Sequence, residues 1–153
     1  MLRNPLRPIL TRTEERSLEN DRLFGGQNEA STNLLLNTYF NTEFRNTKDI
    51  YNTRFYQYDF ENEDKTICIE MKSRRNKHNA YPTTIVPVNK VIGDIDRYIF
   101  VFHFTDGVYF IDYNKERFDT YETRMISTNR RGIVDIPKLH FCIPITDLTK
   151  INE

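Results

Sequence analysis

Cysteine and histidine are scarce in this chain, which has two cysteines, Cys68 and Cys142, and three histidines among 153 residues. With no CxxC pair and so few imidazoles, neither a disulfide framework nor a zinc site is indicated, and both thiols read as core cysteines of a reducing compartment. Long apolar runs are missing as well. No stretch approaches the roughly 18 to 20 apolar residues that cross a bilayer, and Met1 to Thr13 is interrupted by Pro5 and Pro8 where a secretory leader would be hydrophobic. The expectation is an intracellular, soluble protein with no membrane partner. Net charge is absent too: 22 basic and 22 acidic side chains cancel. Whole-molecule charge therefore selects no nucleic acid, membrane or acidic substrate, and any electrostatic argument has to be local. No repeat or low-complexity segment is present.

What remains is an aromatic, foldable chain. A content of 38% apolar and 13% aromatic residues over this length fits one domain with a real core. Residues 1–24 read as an irregular, Pro- and Arg-containing arm with a short helical lead-in from Thr13, and residues 25–153 as a single domain. A helix is expected from about Asn28 to Phe40, where Leu34, Leu35, Leu36, Tyr39 and Phe40 recur at helical spacing, with Glu29 in its first turn. Asn41 to Tyr51 is polar and turn-like. Thr53 to Phe60 and Thr66 to Lys72 read as two strands joined by the turn Glu61 to Lys65, an antiparallel hairpin. Pro82 to Gly93 suggests a short helix over its second half, late or kinked because of Pro87. Tyr98 to Thr105 and Val108 to Tyr113 form a second hairpin around Asp106-Gly107, the first of its strands apolar enough to be covered on both faces. Extended pieces near Thr123 to Ser127 and Leu139 to Ile143, and a last helical turn from Thr146, complete an α/β order that argues for a mixed sheet with helices packed on it.

The chemistry concentrates in Ile67-Cys68-Ile69-Glu70-Met71-Lys72. Side chains alternate along a strand, so Glu70 and Lys72 share one face while Ile67, Ile69 and Met71 take the other. Asp59 stands on the partner strand, directly opposed to Glu70 or diagonal to it depending on the turn register. Two carboxylates supply hard oxygen ligands for Mg²⁺, or Mn²⁺, with the Met71 carbonyl as a further ligand and Glu29 acting through water from the helix. Lys72 beside such an ion would orient or deprotonate a water and offset charge on a phosphorane. Each of these residues has an ordinary alternative: an acid-x-Lys pair on a solvated strand face, a surface acid beside a turn, a carboxylate at a helix start. Lys65 to Arg97 also carries seven Lys/Arg against three acids, a local bias able to attract phosphate. Arg74, Arg75 and Lys77, which follow the strand, are the candidate phosphate contacts. Tyr81 has the face to stack on a base or to anchor packing. His78 is a weaker phosphate candidate, His103 within Phe102-His103-Phe104 reads as structural, and His140 has little functional support.

Taken together, Glu29, Asp59 and Glu70-Met71-Lys72 followed by Ser73-Arg74-Arg75 resemble the PD-(D/E)XK nuclease superfamily, especially its small phage, viral and Holliday-junction-resolvase-like members. The resemblance spans roughly residues 25 to 113. It implies that Glu29 is the helical acid, Asp59 the motif Asp, and Glu70 and Lys72 the Glu-x-Lys pair. Thr83, Thr84 and Lys90 occupy the ground of a following polar segment and basic helix, Lys90 being a further nucleic-acid contact. The proline that often precedes the motif Asp is replaced here by Gln57-Tyr58. The implied fold is a three-layer α/β/α, restriction-endonuclease-like arrangement with a mixed central sheet. The implied activity is Mg²⁺-dependent hydrolysis of phosphodiester bonds in DNA, including branched or structured DNA. A homodimer would act on both strands, alone or within a larger replication, repair or packaging assembly; a viral member would work in the host cytoplasm or nucleus. The alternative from another class is a non-catalytic nucleic-acid-binding or structural protein on the same fold.

Overall fold

The computed structural model describes residues 31–53, 55–91, 95–127, 129–130, 133–134 and 136–151. The arm and lead-in of residues 1–24, the start of the expected helix and Glu29 lie outside them.

The longest helix, α1, covers residues 31–40 and stops at Asn41, whose left-handed φ of 49° ends the helical run. Three consecutive leucines cannot share one helical face. Leu36 is fully buried, Leu35 packs beside it, and Leu34 is 75% exposed. The segment expected to be a plain turn instead holds a short strand, β1 (Phe44–Asn46), and a single helical turn, α2 (Thr47–Tyr51). Asn46 caps that turn, its side-chain oxygen accepting from the Lys48 amide at 2.9 Å.

Next come β2 (Phe60–Asn62), β3 (Ile67–Ser73), β4 (Thr83–Pro87), a 3₁₀ turn at Val88–Lys90, β5 (Arg97–Phe104) and β6 (Gly107–Asp112). They are followed by the one-turn helix α3 (Lys115–Phe118), β7 (Thr123–Ile126), β8 (Asn129–Arg130), β9 (Ile133–Val134), β10 (Lys138–Pro144), a 3₁₀ turn at Ile145–Asp147 and β11 (Thr149–Lys150). The main sheet has six strands in the order β1-β2-β3-β5-β6-β11. It is mixed, because β3 and β5 run parallel while the other neighbours are antiparallel. A second sheet, β4-β10-β7, lies over it, and β8 pairs with β9.

Alternation along β3 and β5 sorts two cores onto the two faces of the main sheet. Ile69, Met71, Ile99 and Val101 meet Leu36, Phe44 and Phe110 on the α1 side. Cys68, Phe100, Phe102 and Phe104 meet Val86, Phe141 and Ile143 of the second sheet, with Phe118 of α3 wedged among them. The molecule is thus an α/β fold on a mixed central sheet. Among the described residues, the face opposite α1 is covered by a three-stranded sheet and one helical turn, where a helical layer was expected.

Two expectations change for local reasons. The first half of Pro82–Gly93 is the strand β4, because Thr83-Thr84-Ile85-Val86 is a β-branched run that pairs with β10 in the register Phe141↔Val86. The short helix expected over the second half is the 3₁₀ turn at Val88–Lys90, residues 92–94 lying outside the described residues. Of the expected strand Thr53 to Phe60, only Phe60 is in regular pairing; residues 55–59 form a bent approach lined with tyrosines. The second hairpin is as expected, from Ile99↔Asp112 to Phe104↔Gly107. Among the described residues, no helix is long and apolar enough to cross a membrane.

Candidate active site

The β2–β3 hairpin is closed by its own polar side chains. Asn62 accepts from the Ile67 amide at 3.0 Å and donates to the Thr66 hydroxyl at 3.0 Å, while the Thr66 hydroxyl donates to Asp64 at 2.7 Å. Lys65 takes the left-handed φ of 59° that the tight turn needs. This turn pins the register at Phe60↔Ile69 and Glu61↔Cys68. One residue further, the Asp59 amide donates to the Ile69 carbonyl at 2.9 Å. Asp59 and Phe60 thus both address Ile69, so the ladder bulges at Asp59 and the expected opposed or diagonal pairing with Glu70 is not formed as a regular strand pair.

Asp59 is held from both sides. Its carbonyl accepts from the Thr47 amide at 2.9 Å and the Thr47 hydroxyl at 3.1 Å, and that hydroxyl also donates to the Tyr58 carbonyl. Thr47, buried at the start of α2, is a positioning residue that the motif did not contain. Its only sequence signal was an Asn-Thr pair suited to starting a helix. On the other side, the Met71 amide donates to Asp59 Oδ2 at 2.8 Å. Residues two apart on a strand direct their main-chain groups to the same edge, so the Met71 carbonyl, like that of Ile69, belongs to the edge facing Asp59.

Glu70 is 4% exposed, and a carboxylate so buried needs a charged partner. It has two. Lys72 Nζ lies 3.2 Å and Lys90 Nζ 3.6 Å from the same oxygen, Oε1. Lys72 comes from the same strand face, whereas Lys90 arrives from the 3₁₀ turn that ends the crossover from β3 to β5. Arg74 turns inward: Nη2 donates to the Ile85 carbonyl at 2.7 Å and the guanidinium lies 5.8 Å from the centre of the Phe102 ring. Burial lowers its pKa to about 10. Arg75 and Lys77 are exposed on the loop beyond β3. The structure thus brings Asp59, Glu70, Met71, Lys72 and Lys90 together, with Arg74 beside them.

One row away on the same face lies a second acidic group. Arg45, Glu61, Cys68 and Tyr98 are neighbours across four strands. Glu61 is fully buried; it accepts from Tyr51 at 2.9 and 3.0 Å and from Tyr58 at 3.2 Å, with Arg45 Nη2 at 3.5 Å. The Tyr98 hydroxyl is buried with no hydrogen-bond partner among the described residues. Burial raises its pKa, and the negative fields of Glu70 and Asp59 add to the rise. The expected phosphate candidate His78 is held by Asp106, its amide and Nδ1 lying 2.9 and 2.6 Å from the two carboxylate oxygens. That bonding draws the Asp106 pKa down.

No family model, curated protein or solved structure matches the chain. The site's donor chemistry is therefore judged on its own. Among the described residues, no three His, Cys, Asp or Glu side chains form a metal-binding group. Asp59 and Glu70 are hard-oxygen donors of the type that suits Mg²⁺, and one oxygen of each is engaged within the chain, Asp59 Oδ2 by the Met71 amide and Glu70 Oε1 by Lys72 and Lys90.

Proposed function

We propose that the protein is a Mg²⁺-dependent endonuclease that hydrolyses phosphodiester bonds in DNA, including branched or structured DNA, on a restriction-endonuclease-like fold of the PD-(D/E)XK type. The observation that carries this reading is the bond from the Met71 amide to Asp59 Oδ2, which holds the Asp carboxylate against the Glu-x-Lys strand, at the residue between Glu70 and Lys72. The parallel pairing of β3 with β5 inside a mixed sheet is compatible with the proposed core, and Glu29 would complete the acidic set. Asp59 and Glu70, with the Met71 carbonyl, would hold Mg²⁺ or Mn²⁺, which when bound supplies Lewis-acid polarisation of the scissile phosphate and a more acidic water. Lys72 then has two tasks, orienting the attacking water and offsetting negative charge on the pentavalent phosphorus. Lys90 would leave Glu70 for a phosphate oxygen as substrate enters. Cutting both strands of a duplex would call for a second copy, so a homodimer, alone or within a replication, repair or packaging assembly, belongs to the same proposal.

One observation favours a second reading. Glu70 already has two ammonium partners within the chain, the arrangement of a structural ion cluster in a non-catalytic nucleic-acid-binding or structural protein. Cleavage of linear, flapped and four-way-junction DNA and of RNA with Mg²⁺ or Mn²⁺ decides between them. Metal-dependent cleavage that falls about 10²- to 10⁴-fold in folded Glu70→Ala and Lys72→Ala variants supports the nuclease. Absence of cleavage by the wild type on every substrate supports the second reading.

A further inference from the structure

Beyond Lys72 and Lys90 opens a cleft of about 950 Å³. One wall is the end of β3, with Lys72 and Arg74. The other is the second sheet, with Arg124 of β7 and Lys138 of β10. The inner face of that sheet is spent on the core through Val86, Phe141 and Ile143. Its other face carries the row Pro87, His140 and Arg124, with Lys138 beside Ile126. Five basic side chains line the cleft among the described residues: Lys72, Arg74, Lys90, Arg124 and Lys138, against one acid, Glu122. Glu122 is bound to Arg124 at 2.9 and 3.1 Å, but both side chains are 62% exposed. Such a surface pair contributes little, and a guanidinium has five N–H donors, so Arg124 keeps capacity for another anion. Glu70 beneath Lys72 and Lys90 offsets part of this charge, and five basic groups against Glu70 and Glu122 leave a net positive balance in the cleft of a protein of zero net charge. Tyr81, 64% exposed, lines the same cleft and offers an aromatic face.

We propose that this cleft is the binding track for a single nucleic-acid strand, with phosphates on Arg124, Lys138 and Lys90 and a base stacked on Tyr81. The inference rests on the nuclease reading only in that the track ends at Glu70 and Lys72, and it names the form of substrate that reaches them. Two features select one strand over two. The volume, about 950 Å³, is that of a pocket for a small ligand and matches a short segment of one backbone. A basic groove with an exposed ring is also the combination by which unpaired strands are held, since a base can stack only when its face is open. DNA and RNA share this chemistry, and separate probes distinguish them.

The test is anisotropy of labelled oligo(dT), oligo(U) and a duplex with the full chain in EDTA, so that binding is read without cleavage. Arg124→Ala combined with Lys138→Ala should weaken single-strand binding at least tenfold. It should also lower the slope of log affinity against log salt by about 1.4, two contacts at roughly 0.7 each. Tyr81→Ala should weaken binding about tenfold. Circular dichroism establishes that the variants, all altered at exposed positions, remain folded. Unchanged affinity and slope in the double variant would overturn the proposal. So would a duplex bound more tightly than a single strand, or equal binding of a polyglutamate peptide. Binding that depends on Arg124 and Lys138 in a protein that cuts nothing would remove the nuclease reading and keep the track. Cleavage lost in Glu70→Ala but indifferent to Arg124 and Lys138 would do the reverse.

Discussion

Glu61 is the residue whose environment constrains the fold most. Its carboxylate is fully buried between Arg45 and the hydroxyls of Tyr51 and Tyr58, and its removal takes away the acceptor that both hydroxyls share. Because the Arg45 side chain is 41% exposed, its charge is hydrated when Glu61 is lost, and the cost is that of the lost buried hydrogen bonds, about 1–3 kcal/mol. Glu61→Ala is therefore expected to lower the unfolding free energy by that amount in urea titrations, and Tyr51→Phe by about 1 kcal/mol. Equal midpoints for Glu61→Ala and wild type would show that the cluster contributes no stability. The sequence offered no route to this residue. Glu61 opens the run Glu-Asn-Glu-Asp-Lys, whose composition is that of a solvated turn, and only the register Glu61↔Cys68 turns it inward. The hairpin that carries Glu70 and brings Asp59 to β3 was legible from its two strands and turn, whereas the bulge that sets Asp59 against the Met71 amide was not. Thr47 was not, because its role depends on a fold-back across the Tyr58-Asp59 backbone.

At the scale of elements, the crossover between β3 and β5 organises the site. Arg74 ties the end of β3 to β4 through the Ile85 carbonyl and lies over Phe102. Arg74→Ala leaves that carbonyl without its donor and is expected to cost about 1–3 kcal/mol, whereas Arg75→Ala on the exposed loop should stay within about 0.5 kcal/mol. Thermal melts of the two variants separate the effects: a comparable loss in both would mean that the inward bond carries no weight. The element pattern explains what was readable. The β5–β6 hairpin was clear from Asp106-Gly107 between two β-branched and aromatic runs. At β4 two signals competed, a proline that can start a helix and four β-branched residues that favour a strand. Pairing with β10, more than fifty residues away, decided for the strand. The cleft was illegible for the same reason, because Arg124 and Lys138 join Lys72 only through that long-range pairing.

At the scale of the whole molecule, α1 is attached to the sheet by apolar packing and by polar contacts that include Thr32 Oγ1 to His103 Nδ1 at 3.0 Å and the Phe44 amide to Asn37 Oδ1 at 2.8 Å. Burial lowers the His103 pKa from its ordinary 6.5. Above that value His103 is neutral whether folded or unfolded. Below it the unfolded chain takes up a proton that the folded state resists, so stability falls as pH drops from 6.5 through the lowered folded value. His103→Gln should remove this part of the pH dependence; urea titrations at pH 7.5 and 5.5 that change equally in variant and wild type would refute it. A last consequence follows from β4. It lies between β3 and β5 in the chain, yet its partner β10 is synthesised more than fifty residues later. Until β10 emerges, the chain carries β4 as an unpaired edge, a window of exposure to aggregation during synthesis that closes when β10 docks and brings Lys138 to the basic cleft.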